Sequence, residues 1–289
     1  MKFSDTKYGD LSGQTYEGSI NVSRLGLVSL EGAPKIVKGD FYCNNNQLTS
    51  LKGAPKVVKG DFDCSYNQLT SLEGAPKIVE GYFYCYNNQL TSLKGVPKTV
   101  KGDFDCSYNQ LTSLKGVSKI VKGSFYCEYN QLNSLEGAPK IAGEDFDCGN
   151  NQLSSLEGTP EVVKSFYCNN NQLTSLEGVP KIVKGDFDCS YNQLNSLEGA
   201  PEVINGSFDC EYNRLTSLEG APKAVEGDFY CSYNQLNSLE GAPKTVEGDF
   251  YCRDTQVTSL EYLPFQKENY TDFSDDMFNE YIRAEFPHR

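Results

Sequence analysis

Residues 60–76 read GDFDCSYNQLTSLEGAP, and the same words return almost unchanged at 102 and 185. Looser copies fill nearly everything from residue 18 to 264, so self-similarity governs the fold before any length-based estimate of domain number applies. Cysteine marks the period. It stands at 43, 64, 85, 106, 127, 148, 168, 189, 210, 231 and 252, a step of 21 broken once by a step of 20 at Lys164 and Ser165.

Within one copy Phe62 and Cys64 stand two apart, which predicts a short strand with both side chains facing inward and the residue between them facing out. Leu69, Leu72 and the preceding Val58 supply the other inward positions. Gly74 and Pro76 exclude a regular helix from the return path, which is expected to be extended, turned or polyproline-like. A single such coil cannot bury its own apolar face, whereas stacked copies turn each position into a continuous row and build a one-dimensional core. Twelve strands can be counted, the first at Ser19–Val22 with valine in the cysteine position. At about 4.8 Å per strand the stack is on the order of 50 to 60 Å long. Asparagine recurs at 46, 67, 88, 109, 130, 151, 171, 192, 213 and 234, three residues after each cysteine. A buried turn there needs a side chain with both a donor and an acceptor, so this row reads as scaffold.

The pattern F-x-C-x-x-N-x-L-x-S-L-x-G-x-P resembles the leucine-rich repeat L-x-x-L-x-L-x-x-N-x-L, with Phe62 and Cys64 in two leucine positions and Asn67 and Leu69 in their own. NQLTSLEGAP is similar to N-x-L-x-x-L-P-x-L-P, the short bacterial repeat of secreted effectors of the YopM and IpaH kind. It departs from that repeat in one extra residue between Val58 and Phe62, and in Gly-Ala where the effectors have Pro-Glu-Leu. The Gly-Asp-Phe-x-Cys wording also resembles predicted repeat proteins of tailed phages. These resemblances imply a mainly β, right-handed leucine-rich-repeat solenoid of about twelve coils, without convex helices, whose concave parallel sheet binds protein.

Residues 1–18 and 265–289 lack the pattern and are expected to cap a solenoid of residues 19–264. In the second of these, Ser274 before Asp275 and Asp276 reads as a helix N-terminus, and Met277, Phe278, Tyr281 and Ile282 form an apolar face that either seals the last coil or docks in a partner's groove.

The chemistry of the repeat argues against an enzyme. The only histidine is His288, no glycine-rich phosphate loop occurs, and the catalytic domain that follows the repeats in IpaH-type ligases has no counterpart in the short segment after residue 264. One sulfur per coil in a straight row cannot surround zinc, and parallel in-register cysteines do not present disulfide geometry. The thiols are expected to be reduced core residues, with no metal or cofactor. Calcium spacing of the EF-hand or nonapeptide kind is absent. No apolar run long enough to span a bilayer and no leader-like start are present, which together with the unpaired cysteines suggests a cytoplasmic protein.

Charge points to the outward face. Residues 1–145 hold 16 basic and 15 acidic residues, residues 146–289 hold 10 and 24, and the whole chain carries −13. Such a field disfavours nucleic acid and anionic membrane and favours a basic partner. The residue before each cysteine alternates Tyr and Asp from 42 to 188 and then becomes Asp209, Tyr230 and Tyr251. The break places Asp186, Asp188, Asp209, Glu211 and Asp228 on successive coils, among Tyr191, Tyr212, Tyr230, Tyr233 and Tyr251. Carboxylates beside tyrosine rings suit Lys and Arg through charge-assisted hydrogen bonds and cation–π contact. The expected function is therefore a non-enzymatic module that binds a basic protein, with a host-directed effector or inhibitor of phage or bacterial origin as the context the resemblances suggest. The alternative is a carbohydrate-binding or adhesive surface or virion protein, because Asp and Tyr rows also suit sugars.

Overall fold

The structure is a computed structural model that describes residues 1–259, 261–263 and the backbone of 265–266. Its contacts divide the chain into an N-terminal unit, Met1–Gln152 with Gly158–Val163, and a C-terminal unit, Leu153–Glu157 with the chain from Lys164 onward. The one shortened repeat, at Lys164 and Ser165, falls where the second unit begins.

Each coil contributes a two-residue strand at its Phe-x-Cys segment. In the N-terminal unit these are Ile20–Asn21, Phe41–Tyr42, Phe62–Asp63, Phe83–Tyr84, Phe104–Asp105, Phe125–Tyr126 and Phe146–Asp147. In the C-terminal unit they are Phe166–Tyr167, Phe187–Asp188, Phe208–Asp209, Phe229–Tyr230 and Phe250–Tyr251. Neighbours pair in parallel with no slip, Phe41 against Phe62 and Phe187 against Phe208, so a repeat of constant length keeps every position on its own row. The fold is a mainly β leucine-rich-repeat solenoid, and the twelve strands expected from the sequence are all present.

The core is built from four rows. Phe, Cys and both Leu of every coil from Phe41 to Leu239 are buried, and successive Phe rings lie 5.2 to 5.8 Å apart within each unit. None of the eleven cysteines forms a disulfide. At Cys64, Cys189 and Cys210 burial raises the pKa well above the usual thiol range, which keeps these thiols protonated and able to donate. Cys64 Sγ donates to Tyr84 O at 3.4 Å and Cys189 Sγ to Asp209 O at 3.3 Å, the same carbonyls that accept the amides of those cysteines. A thiol thus adds a weak second rung to these coil contacts, and likewise at Cys85, Cys106, Cys127, Cys210 and Cys231, which an aliphatic side chain of similar size cannot do.

The asparagine row behaves as scaffold. Asn67 Oδ1 accepts from Leu48 N at 2.9 Å, while Nδ2 donates to the carbonyls of Cys43, Cys64 and Ser65, each at 3.1 Å. Asn192 repeats this arrangement with Leu173, Cys168, Cys189 and Ser190. One amide therefore closes its own turn and ties it to the coil before.

The return path is more regular than its Gly and Pro content suggests. It holds a second set of parallel two-residue strands, among them Thr15–Tyr16, Ile36–Val37, Val57–Val58 and Ile78–Val79 in the N-terminal unit and Ile182–Val183, Val203–Ile204 and Ala224–Val225 in the C-terminal one. A β-branched pair after each Gly-x-Pro-x turn suffices to pair with its copy one coil away. The turn itself needs glycine: Gly74 has φ +96°, and a Cβ there would stand 2.6 Å from the Leu51 carbonyl carbon.

At the N-terminal end Phe3 lies in a short 3-10 turn, Phe3–Asp5, fully buried and stacked on Phe41 at 6.1 Å, so the row of rings is closed by a residue outside the repeat. The helix expected over Ser274–Ile282 lies outside the described residues.

Candidate functional site

The outward face of the sheet is built from three positions per coil: the residue before Phe, the residue between Phe and Cys, and the pair after Cys. Each is shaped first by backbone chemistry. Before Phe, a short polar side chain reaches forward to the next coil. Asp186 Oδ1 accepts from Ser207 N at 2.8 Å, Ser207 Oγ from Asp228 N at 3.2 Å, and Asp228 Oδ1 from Asp249 N at 2.8 Å. These residues thus fasten coils together, and the second oxygens of the aspartates meet tyrosine hydroxyls, Asp186 Oδ2 accepting from Tyr167 Oη at 3.5 Å. In Asp228 that second oxygen accepts from Tyr230 Oη at 2.7 Å.

Between Phe and Cys, aspartate bends back onto its own turn. Asp188 Oδ1 accepts from Ser190 N and Asp209 Oδ1 from Glu211 N, both at 2.9 Å. Asp188 and Asp209 are direct partners across adjacent strands, both half-buried. Burial first, and then the charge of Asp188, pushes Asp209 up to about 7, and burial also raises Asp188. Burial and crowding thus favour a proton on Asp209 up to about pH 7, which lowers the charge of the pair there.

Two residues after each cysteine the backbone is left-handed in every coil, with φ from 48° to 60°. Asparagine occupies this position at 45, 87, 150 and 170, as its local chemistry allows. Tyrosine occupies it at 66, 108, 129, 191, 212 and 233, where a bulky side chain is uncommon. In the C-terminal unit three such tyrosines fall on consecutive coils. Tyr191 and Tyr212 stack at 4.1 Å and 11°, Tyr212 and Tyr233 at 4.3 Å and 12°. They remain 51%, 36% and 42% exposed. Tyr230 and Tyr251 form a second stack at 4.7 Å, each hydroxyl donating to the aspartate two residues before it, Asp228 and Asp249.

The expected site residues thus fall into two groups. Asp188 and Asp209 end their strands, and Glu211 and the row Tyr191–Tyr212–Tyr233 lie on the turns that follow the strands of three successive coils. Asp186, Asp228, Tyr230 and Tyr251 lie around the strand starts, where Tyr230 donates to Asp228, Tyr251 to Asp249 and Asp186 accepts from Ser207 N. Because the rings stack on one another, an incoming cation meets their edges and hydroxyls along the row and open faces only at its ends.

Sequence reasoning passed over Glu128 in the N-terminal unit. Its Oε2 is buried without a hydrogen-bond partner, and burial followed by the charge of Asp147 pushes it up to about 8. The available signal was that glutamate follows cysteine only at 127 and 210. A groove of about 800 Å³ lies elsewhere, at the Gly-x-Pro corner of the first coils around Ala33, Pro34 and Ala54. Among the described residues no group of His, Cys, Asp or Glu is arranged to hold a metal ion, and no helix is long and apolar enough to cross a membrane.

Leucine-rich-repeat effector solenoids are the class this backbone matches among solved structures. YopM from Yersinia enterocolitica WA-314 superposes with a TM-score of 0.65 at 19% identity, covering 89% of this chain and 58% of its own. A YopM structure from Yersinia pestis, described as a leucine-rich effector protein, gives a TM-score of 0.45 at 18% identity over 87% of this chain and 88% of the other. The chain thus spans little more than half of the first of these, and the likeness is one of fold. No protein-family model matches the sequence. No curated protein matches it either.

Proposed function

We propose that the protein is a non-enzymatic binding module that engages a basic protein segment across Asp188, Asp209, Glu211 and the Tyr191–Tyr212–Tyr233 row. The observation that carries this reading is the tyrosine row itself. Three bulky side chains are held on consecutive coils in a backbone conformation that costs each about 1 to 2 kcal/mol, where asparagine serves the scaffold at less cost. Stacking offsets part of that cost, and the remaining gain is an exposed aromatic ridge beside carboxylates.

A Lys or Arg side chain approaching this ridge meets acceptors in Glu211 and in the second oxygens of Asp188 and Asp209. Its charge favours the ionised form of Asp209, so binding releases the proton of that carboxyl and strengthens as pH rises through 7. Sugar binding is less well supported, because a sugar's apolar side stacks on an open ring face and these rings cover one another.

The test uses an arginine-rich peptide as probe. Replacing Asp188, Asp209 and Asp228 with Asn keeps each Oδ1 acceptor, so the fold stays intact while affinity falls about tenfold or more and its salt dependence flattens. The matching triple change at Asp63, Asp105 and Asp147 leaves binding nearly unchanged. Loss of binding in the second variant with retention in the first overturns the assignment.

A further inference from the structure

Two rows of charge run along the corner where each coil turns from its second leucine into the return strand, and neither belongs to the outward sheet face. In the N-terminal unit the residue entering the return strand is Lys35, Lys56, Lys77, Lys98, Lys119 and Lys140 on six consecutive coils, all exposed. Main-chain hydrogen bonds join successive members, Lys56 N to Lys35 O at 2.8 Å, Lys77 N to Lys56 O at 2.9 Å, Lys98 N to Lys77 O at 3.0 Å and Lys140 N to Lys119 O at 2.8 Å, so the backbone positions that carry the ammonium groups repeat at about the 4.8 Å strand spacing. The return strands break between Thr99–Val100 and Ile120–Val121. Among the described residues the first five pair with no carboxylate, and Lys140 meets Glu161, which ends the row, at 3.1 Å.

In the C-terminal unit the residue after the second leucine is Glu157, Glu177, Glu198, Glu219, Glu240 and Glu261, again six consecutive and exposed. A serine two residues earlier fixes the backbone of the row, as in Glu177 N to Ser175 Oγ and Glu198 N to Ser196 Oγ at 3.0 Å. These carboxylates also lack an ion-pair partner among the described residues.

Elsewhere the N-terminal unit mixes signs from coil to coil. Glu80 lies between Lys59 and Lys101, Glu73 pairs with Lys94 and Lys115 with Glu136. The two single-sign rows depart from that habit. They are opposite in charge, equal in length and equal in repeat.

We propose that the lysine row of one copy docks against the glutamate row of a second copy, so that the protein self-associates through unlike edges of its two units. A shared repeat lets every pair meet in register without distortion. Individually weak exposed pairs then act together, and the like-charge repulsion within each row is relieved on contact. The contact joins two different surfaces, so it propagates as open chains unless its geometry closes a ring. A nucleic acid is the less favoured occupant of the lysine row, since no exposed aromatic side chain flanks it for base stacking.

Analytical ultracentrifugation of the full chain tests this. At low salt the sedimentation coefficient is expected to rise with protein concentration, and about 0.5 M NaCl is expected to restore the monomer. Lys56→Glu, Lys77→Glu and Lys98→Glu together give a monomer, as do Glu177→Lys, Glu198→Lys and Glu219→Lys together, with circular dichroism unchanged in both. Mixing the two variants restores association, because each now carries the complement of the other. A wild-type chain that stays monomeric at low salt, variants that still associate, or a mixture that does not, overturns the proposal. So does a fluorescein-labelled oligonucleotide that binds the monomeric wild type and is lost in the lysine variant. The sheet-face carboxylates are untouched in all of these proteins, so binding of the arginine-rich peptide reports on the other reading independently.

Discussion

The N-terminal unit alternates Tyr and Asp on its outward strands and pairs Lys with Glu between neighbouring coils, while the C-terminal unit sets Asp188 beside Asp209 and leaves its corner glutamates unpaired. The rungs beneath are the same in both: the asparagine amide, the stacked Phe rings and the thiol-to-carbonyl contact recur without regard to what the outward face carries. Surface chemistry can therefore change from unit to unit without a structural cost large enough to alter the backbone. The difference marks where selection has something other than folding to act on.

The sharpest way to break the comparison is to strike what the units share. Asn109→Ala and Asn192→Ala each remove four hydrogen bonds of a buried turn and leave amides and carbonyls unpaired, so each should cost about 3 kcal/mol or more in urea denaturation, with little difference between units. A much smaller loss in the C-terminal unit would show that its turns are held differently.

Next comes the tyrosine row. Tyr212→Asn relieves the left-handed backbone while removing two stacking contacts, and the two effects nearly cancel, within about 1 kcal/mol. Affinity for the arginine-rich peptide should nevertheless fall about tenfold. Tyr129→Asn, which removes a single stack with Tyr108, should leave that affinity alone.

Titration separates the units more finely. Asp209 ionises near 7 in the folded chain and near 3.9 when unfolded, so the folded state holds the extra proton and stability falls as pH rises between these values. Asp209→Asn should therefore raise the melting temperature at pH 8 and have almost no effect at pH 4. Glu128→Gln should behave alike, with its window reaching to about 8 and with no change in peptide binding at any pH. The smallest expected effect is that of Lys59→Ala, below about 1 kcal/mol and absent at high salt, because its ion pair with Glu80 is exposed.

The repeat, the inward rows and the role of Asn67 follow from spacing alone, because a period of 21 with Phe and Cys two apart admits few other arrangements. The return strands at Val57–Val58 and Ile78–Val79 were harder to read. Gly74 and Pro76 dominate the local signal, and pairing one coil away is a tertiary fact. The outward face was visible as a list of residues but not as a division of labour. Nothing in the letters shows that Asp186 and Asp228 spend an oxygen on the next coil, or that Tyr191, Tyr212 and Tyr233 cover each other's faces. Those are consequences of stacking distance, which places a short carboxylate within reach of the next amide and brings successive rings into contact.

Strict register between neighbouring strands has a further consequence for how such a molecule can vary. Because Phe187 faces Phe208 and Phe208 faces Phe229 with no offset, whole coils are interchangeable parts. Excising residues 206–226 would bring Phe229 against Phe187 and let the core close again. The same cut would remove Tyr212 and shorten the corner row of glutamates by one. The chain is thus a ruler whose graduations are single coils, and the length of an acidic edge or an aromatic ridge can be reset by copying or dropping a graduation without designing a new fold.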